Sequence, residues 1–303
     1  MSSQNKPTLE STLKSTDTEE FIDIHFYRPI GYRWALFFLK RNVTPNQITI
    51  AAIFIGVAAG ICFYFNSFWI NLAGVFLLIW ANSYDSADGQ LARMTGQKSE
   101  LGRILDGACG DFWFAAIYFA IVFRLWPEWD LWILLLALIT GYFHSMQAAM
   151  ADYYRNVHLL FLKGKNGSEL HNSKELAEKY PLISWKEQPF VKFFEFAYLN
   201  YTRNQEKWSP NLQEMLHTVN DNYQGNTPEW FRTEFREKSL PLMKYTNMLS
   251  FNLRSIVLSI SALSGFPWVY FVFEITIMNG MLTYMVREHE HICEIFNRKL
   301  KEN

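Results

Sequence analysis

The sequence predicts an all-α integral membrane protein: six transmembrane helices preceded by an interfacial amphipathic helix, with a helical cytoplasmic insert between spans four and five. Three observations carry this prediction. Apolar runs occupy residues 46–82, 101–151 and 248–286, and a crossing helix needs about 20 apolar residues. Residues 1–43, 155–245 and 287–303 are polar and charged, so the mean hydropathy of -0.04 averages two unlike materials. The basic residues are also distributed very unevenly about the apolar runs, which orients them.

Residues Met1–Asp23 contain no apolar run preceded by positive charge, unlike a secretory signal. Phe21 to Arg41 then mixes Phe26, Trp34, Ala35, Phe37, Phe38 and Leu39 with Arg28, Arg33, Lys40 and Arg41, the composition of a helix lying at headgroup level. Thr44-Pro45-Asn46-Gln47 reads as an N-cap with proline at the first helical position, opening span one. A substrate contact through Thr44 and Asn46 is the competing reading. Spans are expected near 46–65, 68–92, 101–123, 128–152, 246–264 and 267–287. Asn66-Ser67, the turn from Arg93 to Glu100, Trp126-Pro127-Glu128 and Gly265-Phe266-Pro267 separate them.

In this arrangement Arg124 is the basic residue that faces the far side, while the others lie on or near the side holding both termini, the 93–100 turn and the insert. That side is therefore expected to be cytoplasmic. The organisation follows: 1–43, an N-terminus with the amphipathic helix; 44–154, spans one to four; 155–245, the insert; 246–303, spans five and six with a tail. The insert is longer than a connection requires. Its blocks Lys186 to Tyr201 and Thr227 to Lys238 read as short, aromatic-rich helices able to cover a site, lie on the bilayer or bind a partner. His158, His171 and His217 lack metal-ligand spacing and are expected at the surface. Cys62, Cys109 and Cys293 form no metal-ligand pair and read as reduced thiols. A net charge of -1 exerts no bulk attraction on nucleic acid, which is not expected as a partner.

The chemistry is concentrated in Asp85-Ser86-Ala87-Asp88-Gly89-Gln90-Leu91-Ala92-Arg93, followed after eight residues by Gly102-Arg103-Ile104-Leu105-Asp106. At about 100° per residue Asp85, Asp88, Gly89 and Ala92 share one helix face, and Gly102 and Asp106 share another. The turn between makes the helices antiparallel neighbours, so Asp85, Asp88 and Asp106 are expected to converge at a membrane boundary. Carboxylates so placed repel unless protonated or bridged by a cation, and an oxygen-only ligand set favours Mg²⁺, Mn²⁺ or Ca²⁺. Such ions neutralise phosphate oxygens, which points to a phosphoanhydride substrate. Gly89 and Ala92 leave room either for that substrate or for close helix packing.

This pattern resembles the signature of the CDP-alcohol phosphatidyltransferase family (class I), D-x-x-D-G-x-x-A-R, eight residues, then G-x-x-x-D-x-x-x-D. Thr44-Pro45-Asn46-Gln47-Ile48-Thr49 is also similar to the start of the family's first span. The resemblance is specific over 85–106, supportive over about 20–125 and weak beyond. It implies six membrane helices, a homodimer, and an enzyme of phospholipid biosynthesis. That enzyme would transfer a phosphatidyl or related substituted phosphate from a CDP-linked lipid to a small alcohol, releasing CMP. It further implies Asp85, Asp88 and Asp106 as ligands of Mg²⁺ or Mn²⁺, and Gly89, Ala92, Arg93 and Gly102 as neighbours of the CDP group.

The family's fourth aspartate, given the role of general base, would fall at position 110, which is Gly110; the carboxylate comes one residue later, at Asp111. A one-residue π-bulge, eased by Gly107 and Gly110, is expected to return Asp111 to the Asp106 face and to the base role. Members that use phosphorylated acceptors carry basic residues near Arg155 and Arg254, which makes these two candidates for an acceptor phosphate, with a phosphorylated polyol slightly favoured; snorkelling to the interface is the alternative. His144, Gln147, Glu274 and Asn279 would line the cavity or hydrogen-bond between helices. Two rival functions remain at this level: an intramembrane-carboxylate cation transporter, and a catalytically inactive family member acting as a scaffold.

Overall fold

The computed structural model describes residues 8–9, 15–97, 99–164 and 167–302, the side chains of Glu100 and Leu101 excepted. Residues 1–7 and 10–14, part of the Met1–Asp23 stretch that reads as unlike a secretory signal, lie outside the described residues. Among those described, all regular structure is helical. Four helical runs are long and apolar enough to cross a membrane: Pro45–Cys62, Gly102–Trp129, Leu131–Lys163 and Trp268–Glu302. The chain forms two compact units, Met1–Tyr142 with Phe251–Ile275, and Phe143–Ser250 with Thr276–Asn303.

In the first unit, a π-helical turn Asp23–Tyr27 leads into α1 (Arg28–Leu39), as the mixed apolar and basic composition predicts. Helix α2 (Pro45–Cys62) starts at Thr44, whose Oγ1 accepts from the Gln47 amide while Gln47 Oε1 accepts from the Thr44 amide. That reciprocal capping box satisfies two otherwise orphaned donors, so Thr44 is accounted for as a cap. Helix α3 (Phe68–Thr95) stops at Gly96, whose φ of 67° suits glycine, and α4 (Glu100–Trp129) begins beyond an N-cap at Ser99. The predicted break at Trp126-Pro127-Glu128 is corrected: α4 runs through Pro127 and ends at Asp130, with φ 47°. A proline in the last turn removes a single ladder bond, which a helix end tolerates.

Span five is also revised. Helix α10 (Met243–Met248) and α11 (Phe251–Leu263) are separate elements, divided where the Ser250 hydroxyl donates 2.5 Å to the Asn247 carbonyl. At 13 residues α11 is too short to cross alone. Span six is longer than expected: α12 (Trp268–Phe273) passes through a π-helical segment, Glu274–Met278, into α13 (Asn279–Glu302).

The core of the first unit sits where α2 lies against α3 and α4. Trp113 is buried there, donating from Nε1 to the Ala52 carbonyl at 3.0 Å across the face opened by Gly56. Asn71 Nδ2 donates 3.1 Å to the Ala262 carbonyl and ties α3 to α11. At the end opposite the acidic motif, Arg124 donates to the Phe63 carbonyl (3.3 Å) and to Asn66 Oδ1 (2.8 Å), locking the α2–α3 turn.

The second unit holds Phe143–Lys163, the end of α5 (Leu131–Lys163), and most of the insert: α6 (Ser173–Lys179), α7 (Pro189–Lys207), α8 (Pro210–Tyr223) and α9 (Glu229–Ser239). Helix α9 coincides closely with the predicted block Thr227 to Lys238, while α7 overlaps the block Lys186 to Tyr201 and runs on to Lys207. Phe161, Phe231, Phe235 and Phe296 interlock edge to face and hold α5, α9 and α13 together. Glu290 on α13 accepts from the Asn211 and Leu212 amides at 2.7 and 3.3 Å, a carboxylate meeting the positive end of α8. His158 is corrected from surface to interior: it is buried and shares a 2.8 Å hydrogen bond with Ser239, because α9 covers the end of α5. Gln147 donates 2.7 Å to Asn279 Oδ1, so these two of the four polar residues hydrogen-bond between helices.

A Cβ at Gly60 would lie 2.8 Å from Ala116 Cβ and 2.9 Å from the Ile117 amide nitrogen, both on a neighbouring helix. Gly60→Leu is therefore expected to lose about 1–3 kcal/mol or more of stability. Gly280 has nothing within 4 Å of such a Cβ, so Gly280→Ala is expected to be neutral or stabilising by up to about 1 kcal/mol. Thermal unfolding of both variants in detergent checks the contrast.

Candidate metal centre

Asp85 and Asp88 project from α3 and Asp106 from α4, and one ligand oxygen of each lies within 4.8 Å of the others. The sequence-predicted convergence is present. Asp88 is buried, Asp85 half-buried and Asp106 exposed, so the group opens on the α4 side. At an effective dielectric of ~20, two unit charges at such a separation repel by about 3 kcal/mol, which a bound divalent cation offsets. The donor set is all oxygen and fits a hard ion.

Several residues that spacing alone does not reveal brace this group. Thr49 Oγ1 donates 2.5 Å to Asp88 Oδ2, orienting one carboxylate from α2. Cys109, buried one turn beyond Asp106, is in hydrogen-bonding reach of Asp85. Asn46 Nδ2 donates 3.2 Å to Ser99 Oγ, which accepts from the Gly102 amide at 2.9 Å. A Cβ at Gly102 would meet Asn46 Oδ1 at 2.5 Å, so glycine lets α2 and α4 meet there. Only the Thr-Pro-Asn-Gln-Ile-Thr segment hinted at Asn46 and Thr49; Ser99 and Cys109 carried no signal.

The first turn of α1 is fastened to the motif helix through the motif's variable positions. Arg28 grips Glu19 with two bonds (2.9 and 3.0 Å) and reaches Ser86 Oγ at 3.5 Å, while Gln90 Nε2 donates 3.0 Å to the Arg28 carbonyl. Arg93 runs back along α3 over Gly89, its Nη1 3.5 Å from where a Cβ would stand, with Arg28, Glu19, Asp106 and Asp88 as charged neighbours. The atoms nearest to such a Cβ belong to Arg93 at ordinary contact distance, not to another helix. Ala92 is half-buried on the same face.

Two expectations are corrected. Helix α4 is α-helical throughout 100–129, with no π-bulge at 106–111. Asp111 stays about 140° around the helix from Asp106 and outside the three-carboxylate group. The bulge is unnecessary for packing, because Gly107 and Gly110 face open space and nothing pushes the helix out of register. Arg254 does not snorkel and does not face an open cavity: it is 1% exposed, and its Nη1 donates 2.6 Å to Glu274 Oε2 in a buried ion pair. Glu274 thus holds the guanidinium intended for an acceptor phosphate. Arg155, half-buried, donates 3.3 Å to Asn247 Oδ1 within its own unit.

Helices apolar enough to span a membrane, with a carboxylate group able to hold a cation where α3 meets one of them, α4, define the class as an integral membrane protein with a metal-type centre. The comparisons agree with this class: residues 42–159 match the sequence model of the CDP-alcohol phosphatidyltransferase family. The archaetidylinositol phosphate synthase of Pyrococcus horikoshii is 36% identical over 111 residues, which are 37% of this chain and 56% of that protein. The chain thus spans a little over half the length of the curated relative it matches.

Removing one partner of a buried ion pair strands a charge, so Arg254→Met is expected to destabilise the protein by about 3–5 kcal/mol. Adding Glu274→Leu to it is expected to restore most of that loss. Melting temperatures of the two single variants and the double variant test this; equal losses in Arg254→Met and the double variant would refute a structural pair.

Proposed function

We propose that the protein transfers a phosphatidyl or related substituted phosphate group from a CDP-linked lipid to the hydroxyl of a small alcohol, releasing CMP, in phospholipid biosynthesis. The observation that carries this reading is the meeting of three carboxylates from two adjoining helices inside the stretch that matches the family's sequence model. Asp85, Asp88 and Asp106 would hold Mg²⁺ or Mn²⁺, which when bound supplies charge neutralisation to the diphosphate and the departing CMP.

The chain's own residues do the rest. Thr49 keeps Asp88 turned toward its neighbours. Gly89, Ala92, Arg93 and Gly102 border the CDP group, with the Arg93 guanidinium available to phosphate oxygens. The open flank of α4 has Asp106 on one rim and Asp111 on the other, with Gly110 and Gly107 between them at about 40° and 100°. A substrate lying on that bare backbone has Asp111 beside it, without a bulge, to accept the proton of the attacking hydroxyl. The acceptor is a phosphorylated polyol such as an inositol phosphate. Its phosphate is assigned to Arg155, since Glu274 already occupies Arg254. The relative's name and the basic Arg155 support that choice.

In this reading the chain crosses six times, the fifth crossing made by α11 together with the residues flanking it, with residues 44–154 bearing the motif and 155–245 forming the insert. Both termini, the motif end and the insert are cytoplasmic, and the enzyme is a homodimer. The distribution of basic residues about Arg124 supports the orientation.

The purified full chain, given CDP-diacylglycerol or CDP-archaeol with Mn²⁺ and a panel of free and phosphorylated alcohols, is expected to release CMP with a phosphorylated polyol. Chelation is expected to abolish release and added Mn²⁺ to restore it. Asp85→Asn should eliminate it, and Asp111→Asn should slow it by about 10²–10⁴-fold. Absence of CMP with every donor and acceptor, together with Mn²⁺ flux in liposomes, would replace this reading with cation transport. Full activity in Asp111→Asn would keep the transferase and remove its proposed base.

A further inference from the structure

Within the second unit, the stretch from Tyr180 to Ala197 presents large apolar side chains that nothing in the unit covers. Leu182 is 84% exposed, Phe190 79% and Phe193 57%, values matching Phe54 at 71% and Phe119 at 60% on helices apolar enough to span a membrane. Phe190, Phe193 and Phe196 fall within a stripe about 120° wide along the first half of α7. The second half of α7 is different in kind: Leu199, Thr202 and Gln205 are buried, while Arg203, Asn204 and Lys207 face outward.

The exposed stretch is built rather than loose. Lys192 Nζ donates 2.6 Å to the Ile183 carbonyl and sits 4.8 Å from the Tyr180 ring centre and 5.8 Å from that of Trp185. The Tyr180 ring lies 6.1 Å from Phe196. One lysine thereby clamps the 180–185 segment onto α7, so that Leu182, Trp185, Phe190 and Phe193 are presented from one braced element.

The attachment of α7 gives its depth. Gln205 Nε2 donates 2.8 Å to the Ala149 carbonyl of α5. At about 1.5 Å per residue, Ala149 is about 27 Å along α5 from Leu131, near the far edge of an apolar layer about 30 Å thick. Helix α7 is therefore bonded to a spanning helix at the level where hydrocarbon gives way to headgroups. Aromatic rings with lysine ammonium groups held over them suit that zone, where rings sit among headgroups and lysine stems reach toward water.

We propose that the Tyr180–Ala197 segment is a membrane-docking platform, its aromatic stripe inserted into the headgroup and upper acyl region of the lipid bilayer that α5 crosses. The insert is thereby held on the bilayer surface by lipid as well as by protein contacts. This inference rests on α5 spanning the membrane and is independent of the transfer reaction.

Nitroxide labels at Leu182→Cys, Phe190→Cys, Phe193→Cys and, as an aqueous reference, Glu237→Cys test the platform. The full chain is used in nanodiscs of zwitterionic and anionic phospholipid, in a Cys62→Ser background, Cys109 and Cys293 being buried. All label sites are exposed, so the fold tolerates them, and monodisperse size exclusion verifies it. The ratio of oxygen to nickel-chelate collision rates is expected to be several-fold higher at 190 and 193 than at 237. Ratios equal to that at 237 would overturn the proposal. So would labels shielded from both relaxers with short label-to-label distances between copies, which would mean a second chain covers the stripe. A lipid-like ratio in a preparation that releases no CMP would leave the platform standing while removing the proposed activity.

Discussion

The crowding of Asp85, Asp88 and Asp106 at one end of two packed helices is the constraint around which the first unit is organised. Like charges at this separation push α3 and α4 apart by several kcal/mol in a poorly polarisable setting. The opposing contacts are apolar and short-range. Trp113 fills the notch left by Gly56, Gly60 meets Ala116 and Ile117, and Gly102 meets Asn46, so α2 grips α4 along most of its length. Thr49 adds a hydroxyl from the same helix to Asp88. Helix α2 thus both closes the bundle and steers the carboxylates, which explains why its start is capped at Thr44 from both directions.

The opposite strategy governs the Arg254–Glu274 pair. There, charges of opposite sign are buried together between α11 and the helical run containing Glu274, each neutralising a partner that the apolar surroundings would not tolerate alone. A pair of this kind holds two helices in one register. It also keeps Arg254 engaged with a carboxylate inside its own unit. The π-helical segment beginning at Glu274 fits this picture, since a widened turn is a common accompaniment of a side chain directed into a specific contact.

Much of this was legible in the chain. The acidic spacing on α3 and α4, the Thr44 cap, the turn between Arg93 and Glu100, the helix at Arg28–Leu39 and the helices of the insert follow from periodicity and capping chemistry, which are local. The misreadings share a cause. Pro127 is a strong breaker in isolation but harmless in a last turn; the Leu249–Ser250 break has no glycine or proline to announce it; His158 looks like a surface histidine until α9 is laid over it. The expected bulge at Asp111 came from a sequence pattern rather than from any force on the helix, and with Gly107 and Gly110 facing open space α4 has no reason to distort. The aromatic block containing Phe190 was open to three readings, covering a site, lying on the bilayer or binding a partner, because composition does not say which of its faces the rest of the unit covers.

By itself the sequence determined the helical class, the alternation of membrane-compatible and polar stretches, and the residues able to bind a divalent cation. Those properties depend on composition and on neighbours within one or two helical turns. Tertiary structure alone decided which partner each buried polar group meets: Glu274 for Arg254, Thr49 for Asp88, Ala149 for Gln205. Such pairings join residues far apart in the chain, and their energies depend on burial and distance, which no local pattern encodes.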